Sequence, residues 1–524
     1  MNLLMNLPEV WNLREVVSRA EDVGRLNEAI LQLAVQGKLT RQDPTDEPAS
    51  ELLKRIAAEK KRLGTKSEPL PEIEEEERPF PLPNGWEWVR FGDATINRDS
   101  ARIPLSREQR KTRQGPFDYY GASGVIDKID DYLFDKPLLL IGEDGANLIN
   151  RSTPIAFLAY GKYWVNNHAH VLDSLNLDVL KYLSVFINAI DLKPFVTGTA
   201  QPKMNQSKMN SIVVGLPPLA EQKRIVARVE ALLAQTRQLE ATMSTAVHTL
   251  SSLHAAAIQE LLTAVDPDDF AAKWQFIADN FDLLYDETYP ETAVANVAAL
   301  KQAILQLAVQ GKLTRQDPAD DPAGELLKRI AAEKKRLGFK SQPLPEIGEE
   351  ERPFNLPIGW EWVRLGSIVS FDYGKGLPAK KRDDSGHVPV YGSNGVVGHH
   401  SEELVNQDCI VIGRKGSSGA VNLATGRSWI IDTAFYILPP KEIDLNFLFR
   451  LLQSLQLDKL GKGIKPGLNR NEAYQLVSAL PPLAEQKRIA ERVDALLRLC
   501  DDLSAHITAA QATRAALRDA ALAM

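Results

Sequence analysis

Two sets of basic side chains lie in short polar segments of the chain. The first set comprises Arg107, Arg110, Lys111 and Arg113, with Lys203 and Asn205 farther along. The second set comprises Lys380, Lys381 and Arg382, then Arg414 and Lys415, and finally Lys462 and Lys465. Such side chains neutralise phosphates or donate hydrogen bonds to base edges, and the glycines near several of them permit close approach of a backbone. The alternative is an ordinary surface loop, which is also commonly rich in lysine and arginine.

The residue patterns expected of a catalyst are missing from the sequence. An adenine methyltransferase would carry an Asn/Asp-Pro-Pro-aromatic tetrapeptide, whereas the Pro-Pro pairs here stand in LPPL and ILPP. The glycine-rich runs GRKGSSG, from Gly413, and GKGIKPG, from Gly461, do not match the phosphate-binding loop of nucleotide-driven motors. His168, His170, His399 and His400 lack the spacing of a metal site. We therefore expect no catalysis by this chain alone, no metal and no cofactor.

Composition indicates a cytoplasmic protein whose acidity is unevenly distributed. The net charge is −7, yet residues 93–215 carry +1 and residues 367–479 carry +2. The acidic excess therefore lies elsewhere, which permits the two basic segments to bind an anionic partner. Two cysteines exclude a disulfide framework, and the sequence contains neither a signal-peptide pattern nor a run of about 18 uncharged apolar residues.

A duplication organises the chain. Residues 26–92 recur as 300–366 with 56 of 67 positions identical, which we call repeat A. LPPLAEQKRIVARVEALL, from Leu216, recurs as LPPLAEQKRIAERVDALL, from Leu480, and begins repeat B. Near-identical frames around two divergent inserts predict a constant scaffold that presents two different modules with pseudo-two-fold symmetry. The predicted parts are a helical region and connector (1–92), module 1 (93–215), a spacer helix (216–262), a linker (263–299), a second helical region and connector (300–366), module 2 (367–479) and a C-terminal spacer helix (480–524).

Both copies of repeat B predict long helices with a heptad seam. The first seam consists of Ile225, Val229, Leu232, Thr236, Leu239, Met243, Ala246, Leu250, Leu253 and Ala257. The second consists of Ile489, Val493, Leu496, Cys500, Leu503, Ile507, Ala510 and Leu517, with Arg514 as a poor fit. Steps of three and four residues are typical of coiled coils, so we expect an antiparallel spacer of about 60 Å. Two amphipathic helices in separate bundles are the alternative.

The two modules are predicted to share a mixed α/β fold. YYGASGVI, from Tyr119, and VYGSNGVVG, from Val390, each indicate a glycine turn leading into a strand. PLLLIGEDGANL and CIVIGRKGSSGAV each indicate a buried strand followed by a glycine loop, and a short helix and a polar loop end each module. Tyr120 and Tyr391 occupy matching turns, where a tyrosine either contacts a ligand or fills the core. The fold class is α+β, with two such domains separated by the long helices.

These phrases resemble the specificity subunits of Type I restriction–modification systems. LPPLAEQKRI closes each module, GWEWVRFG and GWEWVRLG open them, and YGASG and YGSNG lie inside. The resemblance covers nearly the whole chain. It implies two target recognition domains that each read half of a bipartite DNA sequence, and conserved helices that set the spacing. It also implies two modification (methyltransferase) subunits and restriction/translocase subunits as partners, with S-adenosylmethionine, ATP and Mg on those partners.

Two other classes of function compete with that expectation. A duplicated coiled-coil adaptor that binds proteins would account for the repeats and the acidic total, but it gives no reason for the modules to diverge while their frames match. A self-sufficient nuclease would need a metal-binding set of carboxylates, and none stands out in the sequence.

Overall fold

The computed structural model describes residues 20–64, 69–198, 201–336, 344–383, 386–461 and 467–523. The chain divides into two compact units. Unit 1 comprises Met1–Thr245 and Leu517–Met524, and unit 2 comprises Ala246–Ala516.

Unit 1 begins with repeat A and continues into module 1. Repeat A contains α1 (Ala20–Val35), α2 (Ala49–Arg62) and β1 (Glu87–Arg90). The helices of module 1 are α3 (Phe91–Ala94), α4 (Arg107–Lys111), α5 (Asn147–Asn150), α6 (Leu177–Ala189) and α7 (Gln206–Asn210). Its strands are β2 (Ile96–Asn97), β3 (Phe117–Gly121), β4 (Gly124–Ile129), β5 (Phe134–Asp135), β6 (Leu138–Gly142), β7 (Ala156–Ala159), β8 (Lys162–Val165) and β9 (Ala169–Asp173). β10 (Val213–Leu216) and the long helix α8 (Leu219–Leu262) follow.

Module 1 is built on two four-stranded sheets. One has the order β2-β9-β6-β7, and the other has the order β4-β3-β8-β5, in which β3 and β8 are parallel. Every residue of β6 and β9 is buried, as expected for central strands covered on both faces. Helix α6 packs on β6 and β7 with its apolar side chains, and the Asn188 amide ties it to the backbone of β7.

Unit 2 repeats this plan. Ahead of its module lie α9 (Pro267–Asp279), α10 (Phe281–Leu284), α11 (Pro290–Val309), α12 (Ala323–Arg336) and β11 (Glu361–Arg364). Module 2 contains α13 (Leu365–Ile368), β12 (Asp372–Tyr373), β13 (Val388–Gly392), β14 (Gly395–His400), β15 (Cys409–Gly413), β16 (Val421–Ala424), β17 (Trp429–Ile430), β18 (Ala434–Ile437), α14 (Leu445–Ser454) and α15 (Arg470–Gln475). β19 (Val477–Leu480) and α16 (Leu483–Ala523) end the chain. The sheet order β12-β18-β15-β16 matches β2-β9-β6-β7 of module 1, and β14-β13-β17 matches β4-β3-β8, with no counterpart of β5 among the described strands.

A two-stranded ribbon joins the entry and the exit of each module. β1 pairs antiparallel with β10, and β11 pairs antiparallel with β19. The GWEWVR phrase, whose apolar and polar residues alternate as in a strand, therefore forms one in both copies. Its partner is the strand just before the LPPLAEQ phrase, so the repeated segments hold each divergent module at both of its ends.

A buried carboxylate fastens repeat A to the start of each long helix. Glu221, in the first turn of α8, accepts hydrogen bonds from the Trp86 indole at 2.9 Å, the Gln42 amide at 3.0 Å and the Thr40 hydroxyl at 3.1 Å. Glu485 in α16 accepts the same three bonds, from Trp360 at 2.8 Å, Gln316 at 3.0 Å and Thr314 at 3.2 Å. We call each arrangement the Trp–Glu clasp. Every donor and both carboxylates lie in repeated segments of the sequence, which gives a structural reason for the near-identity of the two repeats.

A buried arginine fixes the connector of each repeat A. Arg90 donates two hydrogen bonds to Glu77, each at 2.7 Å, and others to the carbonyl oxygens of Pro71, Glu72 and Ser211. Arg364 makes the equivalent contacts in unit 2. These hydrogen bonds lower the pKa of Glu77. The Pro- and Glu-rich connector is consequently held against the ribbon, although it has almost no regular structure of its own.

The two long helices confirm most of the predicted seam. Among its members, Ile225, Val229 and Thr236 on α8 and Val493 and Ile507 on α16 are buried. Leu253 and Leu517 are exposed, so their assignment to the seam was wrong. His254 is buried instead of Leu253, because the step from Leu250 is four residues where we predicted three. In unit 2, the end of α8 and the first part of α16 share one hydrophobic core.

The helices of repeat A flank the long helices, a role that the sequence did not disclose. In unit 1, Asn27 of α1 bonds the Thr236 hydroxyl of α8 at 2.6 Å, and Arg25 pairs with Asp519 of α16 at 3.1 Å. In unit 2, Lys301 of α11 pairs with Asp501 of α16. Where its residues are described, the spacer region is therefore a bundle of more than two helices.

The segment predicted as a linker, residues 263–299, is largely helical. It forms α9, α10 and the first half of α11, and their apolar residues enter the core of unit 2. Within the part of the chain that the structure describes, α11 alone is long and apolar enough to cross a membrane. Half of that stretch is buried inside the protein, where Val297, Leu300 and Ile304 lie in the core.

Removal of the indole donor from one clasp tests its contribution to stability. Trp360→Phe keeps an aromatic ring but leaves one oxygen of the buried Glu485 carboxylate without its donor, so we expect unfolding to become easier by about 1–3 kcal/mol. The measurement is denaturant unfolding of the full chain. Trp362→Phe is the matched control, because Trp362 is only partly buried. Equal stability of the two variants would contradict the clasp.

His254 should make unit 2 less stable in acid. Burial lowers the pKa of His254 from 6.5 to about 4, and its Nε2 lies 3.2 Å from the Tyr285 hydroxyl. Since the unfolded chain takes up this proton below pH 6.5 and the folded chain does not, stability present above pH 6.5 should fall by about 2–3 kcal/mol between pH 6.5 and 4.

Two variants, compared over the same pH range, isolate the contribution of His254 to this pH dependence of stability. His254→Gln should lose much of the slope of unfolding free energy against pH. His248→Gln, on the exposed surface of the same helix, should retain it. An identical slope for His254→Gln and the wild-type chain would show that this histidine titrates alike in the folded and unfolded states.

Candidate nucleic-acid interface

The first basic cluster is a helical turn, not the polar loop that we predicted. The Ser106 hydroxyl and the Gln109 side chain form a capping box that begins α4. Arg110 donates to Asp127 on β4 at 2.9 Å and stacks on the Tyr119 ring. Arg113 pairs with Asp130 at 2.9 Å and stacks on Trp164. Both guanidinium groups therefore hold α4 on the β3–β4 hairpin and are largely neutralised.

Arg107 and Lys111 remain available on the outer side of the same turn. Both side chains are exposed, and neither has a hydrogen-bond or ion-pair partner among the described residues. Of the four predicted cations at α4, these two are consequently the ones that can meet a phosphate without breaking an internal contact.

The other two candidates of module 1 have structural partners. Lys203 lies 3.2 Å from Glu143, and its backbone exchanges two hydrogen bonds with Thr197. The Asn205 side chain caps α7 by accepting from the backbone of Lys208 at 2.9 Å. Asn205 is thus explained as a helix cap, whereas the ammonium of Lys203 is still half exposed.

A buried polar network supports the loop after β6. His170 Nδ1 lies 2.6 Å from Asp99, and His170 Nε2 donates to the Met204 carbonyl oxygen at 2.9 Å. Arg102 donates to Glu143 at 2.8 Å. Burial alone would raise the pKa of Glu143, but Arg102, Lys203 and the charge of His170 lower it. The pKa of Asp99 is also lowered despite its burial, chiefly because Asp99 is hydrogen-bonded to His170.

Module 2 has an aromatic and cationic cluster at the equivalent place. The Arg414 guanidinium donates to the Asp432 carbonyl oxygen at 2.8 and 3.1 Å and lies 5.4 Å from the centre of the Tyr373 ring. Arg470 lies 5.2 Å from the same ring. Tyr373 is 54% exposed, so two guanidinium groups and an accessible ring form one surface.

The remaining cations of module 2 differ in their freedom. Lys380 and Lys381, in a short 3₁₀ turn, and Lys415 are exposed and have no side-chain partner in the described ranges. Arg382 donates to the Val397 carbonyl oxygen at 2.9 Å, which fastens this turn to β14. Lys462 and Lys465 lie outside the described residues, and their assignment stays a prediction.

The matching tyrosines pack into the modules. Tyr120 lies against the core formed around Tyr163 and Phe157, and Tyr391 lies against the core around Cys409 and Ile430. Partial burial raises the pKa of both phenols. Of the two interpretations left open by the sequence, the structure favours core filling.

Comparison with known proteins explains the two modules. The family model for the Type I restriction modification DNA specificity domain matches residues 83–248 and again residues 357–510, well over half of the chain. The chain is 32% identical to the EcoAI specificity subunit of Escherichia coli, over 95% of this chain and 93% of that protein. The chain belongs to the Type I restriction–modification specificity family.

A second relative is also a specificity subunit. The EcoEI specificity subunit of Escherichia coli is 30% identical over 95% of this chain and 93% of its own length. Among solved structures, the HsdS subunit from Thermoanaerobacter tengcongensis is similar over 85% of this chain and 98% of that chain, with 17% identity and a TM-score of 0.38. The family is one of DNA recognition rather than catalysis, and the expected fold class, with two recognition domains and long conserved helices, is confirmed.

The two modules of this specificity-family protein differ in how their cationic side chains are paired. In module 1, carboxylates pair with Arg110, Arg113 and Lys203. In module 2, none of the described candidate cations has a carboxylate within ion-pair distance. The sequence reasoning missed Arg470 and Tyr373, and the KPGLNR phrase that ends in Arg470 was the available signal. It also missed that acidic residues occupy the loop after β6.

The unpaired lysines of module 2 should set part of the salt dependence of DNA binding. Combined replacement of Lys380 and Lys381 by glutamine should lower the slope of log K against log salt by about 0.9 for each lost phosphate contact. The measurement is a titration with duplex DNA at several salt concentrations. Arg427→Gln is the control, since Arg427 pairs with Glu403. An unchanged slope in the double variant would contradict the assignment.

Proposed function

We propose that this chain selects a bipartite DNA target, one half read by module 1 and the other by module 2, for a Type I restriction–modification complex. One observation carries the proposal: two modules of the same topology, with divergent surfaces, are mounted on frames that are nearly identical in sequence and in hydrogen bonding. Recognition of a split DNA target requires a constant scaffold that carries two different recognition modules.

The surfaces of the modules support DNA as the partner. Arg107 and Lys111 in module 1, and Lys380, Lys381 and Lys415 in module 2, are exposed cations without internal partners among the described residues. Exposed cations of this kind bind phosphates, which supplies the salt-sensitive part of DNA affinity, or donate hydrogen bonds to base edges. The acidic excess lies in the frames, so it does not oppose the approach of the duplex to the modules.

The chemistry of the complex belongs to other subunits. We assign methyl transfer to two modification subunits that dock on the helical frames, and translocation and cleavage to restriction/translocase subunits. S-adenosylmethionine, ATP and Mg bind to those partners, and this chain contributes no catalytic group and no cofactor site. The complex acts in the cytoplasm, where the DNA is. The protein-binding adaptor is not favoured, because it leaves the two matches to the DNA specificity domain without a role.

Methylation-site sequencing tests the proposal directly. Cells that carry the partner subunits should methylate adenines in one split motif when this chain is present. The motif should disappear when the chain is removed and return when it is resupplied. Persistence of every methylated motif without the chain would refute the proposed function, and so would a dependent motif that is continuous rather than split.

A further inference from the structure

The loops that follow β6 and β15 begin with equivalent backbone contacts. The amide of Glu143 donates to the His168 carbonyl oxygen at 2.8 Å, and that of Arg414 donates to Thr433 at 2.9 Å. The carbonyl oxygens of the same two residues accept from Met204 and Leu468, at 2.8 and 2.9 Å. Glu143 therefore corresponds to Arg414, and Asp144 corresponds to Lys415.

In each loop the first residue is an anchor. The Glu143 carboxylate is only 11% exposed and lies between Arg102 and Lys203. The Arg414 guanidinium folds back onto the Asp432 carbonyl oxygen and the Tyr373 ring. Both side chains are thus engaged by their own module, and they hold the backbone of the loop in place.

The second residue of each loop reaches the protein surface, where the Asp144 side chain is 31% exposed. Asp144 Oδ2 accepts a hydrogen bond from His168 Nδ1 at 2.7 Å, whereas Asp144 Oδ1 has no partner among the described residues. Lys415 is exposed, and no partner of its ammonium is found within the described ranges. The outward position therefore presents a hydrogen-bond acceptor in module 1 and a hydrogen-bond donor in module 2.

Each loop is packed against the turn of the first hairpin in its module. A Cβ on Gly142 would lie 2.6 Å from the Ala122 carbonyl oxygen, and one on Gly413 would lie 2.4 Å from that of Ser393. This close approach brings the start of each loop beside the hairpin turn, where Ser123 and Asn394 are exposed. Each loop is held in place by its own module and has polar groups beside it. It is therefore suited to read a base edge, because the geometry of the loop is set before DNA binds.

We propose that Asp144 and Lys415 are equivalent base-reading positions of opposite polarity. The inference rests on the proposed function and names the chemistry of its recognition. A carboxylate accepts from the exocyclic amino group of cytosine or adenine, and an ammonium donates to O6 and N7 of guanine. Module 1 thus selects an amino-bearing base at the position where module 2 selects guanine.

The test uses the full chain with its partner subunits and sequences methylated sites in cells. Asp144→Asn should relax one position in one half of the motif by about tenfold relative to the other bases, and Asp144→Lys should favour guanine there. Lys415→Asp should shift one position in the other half from guanine towards cytosine or adenine. Asp135→Asn and Lys441→Gln, exposed residues of the same modules, should leave both halves unchanged.

The possible results separate this inference from the proposed function. If the wild-type chain directs a split motif and the folded Asp144 and Lys415 variants leave its consensus unchanged, the inference is wrong while the function stands. If a variant abolishes methylation, sequencing of methylated sites gives no readout. The purified complex is then used to select bound sequences from a random duplex library. An unchanged selected consensus would then overturn the inference. Asp144→Asn preserves size and decides the matter if Asp144→Lys does not fold.

Discussion

The Trp–Glu clasp is the constraint on which the two halves of this protein depend. In each unit a carboxylate of the first helical turn is buried and receives an indole, an amide and a hydroxyl donor from repeat A. An anionic group is favourable near a helix N-terminus, and a buried carboxylate that lost a donor would be costly. The clasp therefore fixes the start of the long helix relative to the strand that enters the module. Burial raises the pKa of Glu485, which shows that the three donors do not fully offset its desolvation.

Because the clasp and the ribbon define both ends of a module, the interior and the surface of the module are free to diverge. His170 and its polar network occupy in module 1 the place that Phe435 and the Tyr373 cluster occupy in module 2. The sheet order is unchanged by this replacement. Divergence of recognition surfaces on a common backbone plan is what allows two unrelated half-sites to be combined in one chain.

Much of the fold could be predicted from the sequence because repetition and periodicity are local signals. The two repeats, the strand of the GWEWVR phrase and the long helix that ends at Leu262 are confirmed. Periodicity failed at Leu253 and Leu517, where neighbouring helices or solvent decide which side is buried. The helices of residues 263–299 escaped detection because we interpreted that segment as a linker, although its apolar residues belong to the core of unit 2.

The candidate interface was harder to predict, because charge compensation depends on contacts between distant residues. Arg110 and Asp127 are 17 positions apart, and the hairpin formed by β3 and β4 brings them together. Positive charge, which indicates DNA contact in a sequence, cannot reveal an acidic residue such as Asp144. Only the backbone pairing of the two loops reveals that an aspartate and a lysine hold the same place.

We infer that each module is an independent reader on an interchangeable mount. The most direct measurement replaces residues 93–215 by a second copy of residues 367–479 in the full chain and determines the methylated motif. We expect a split motif whose two halves carry the same base sequence, that of the half which module 2 reads in the wild-type protein. A folded chimera that still requires the original first half would contradict it.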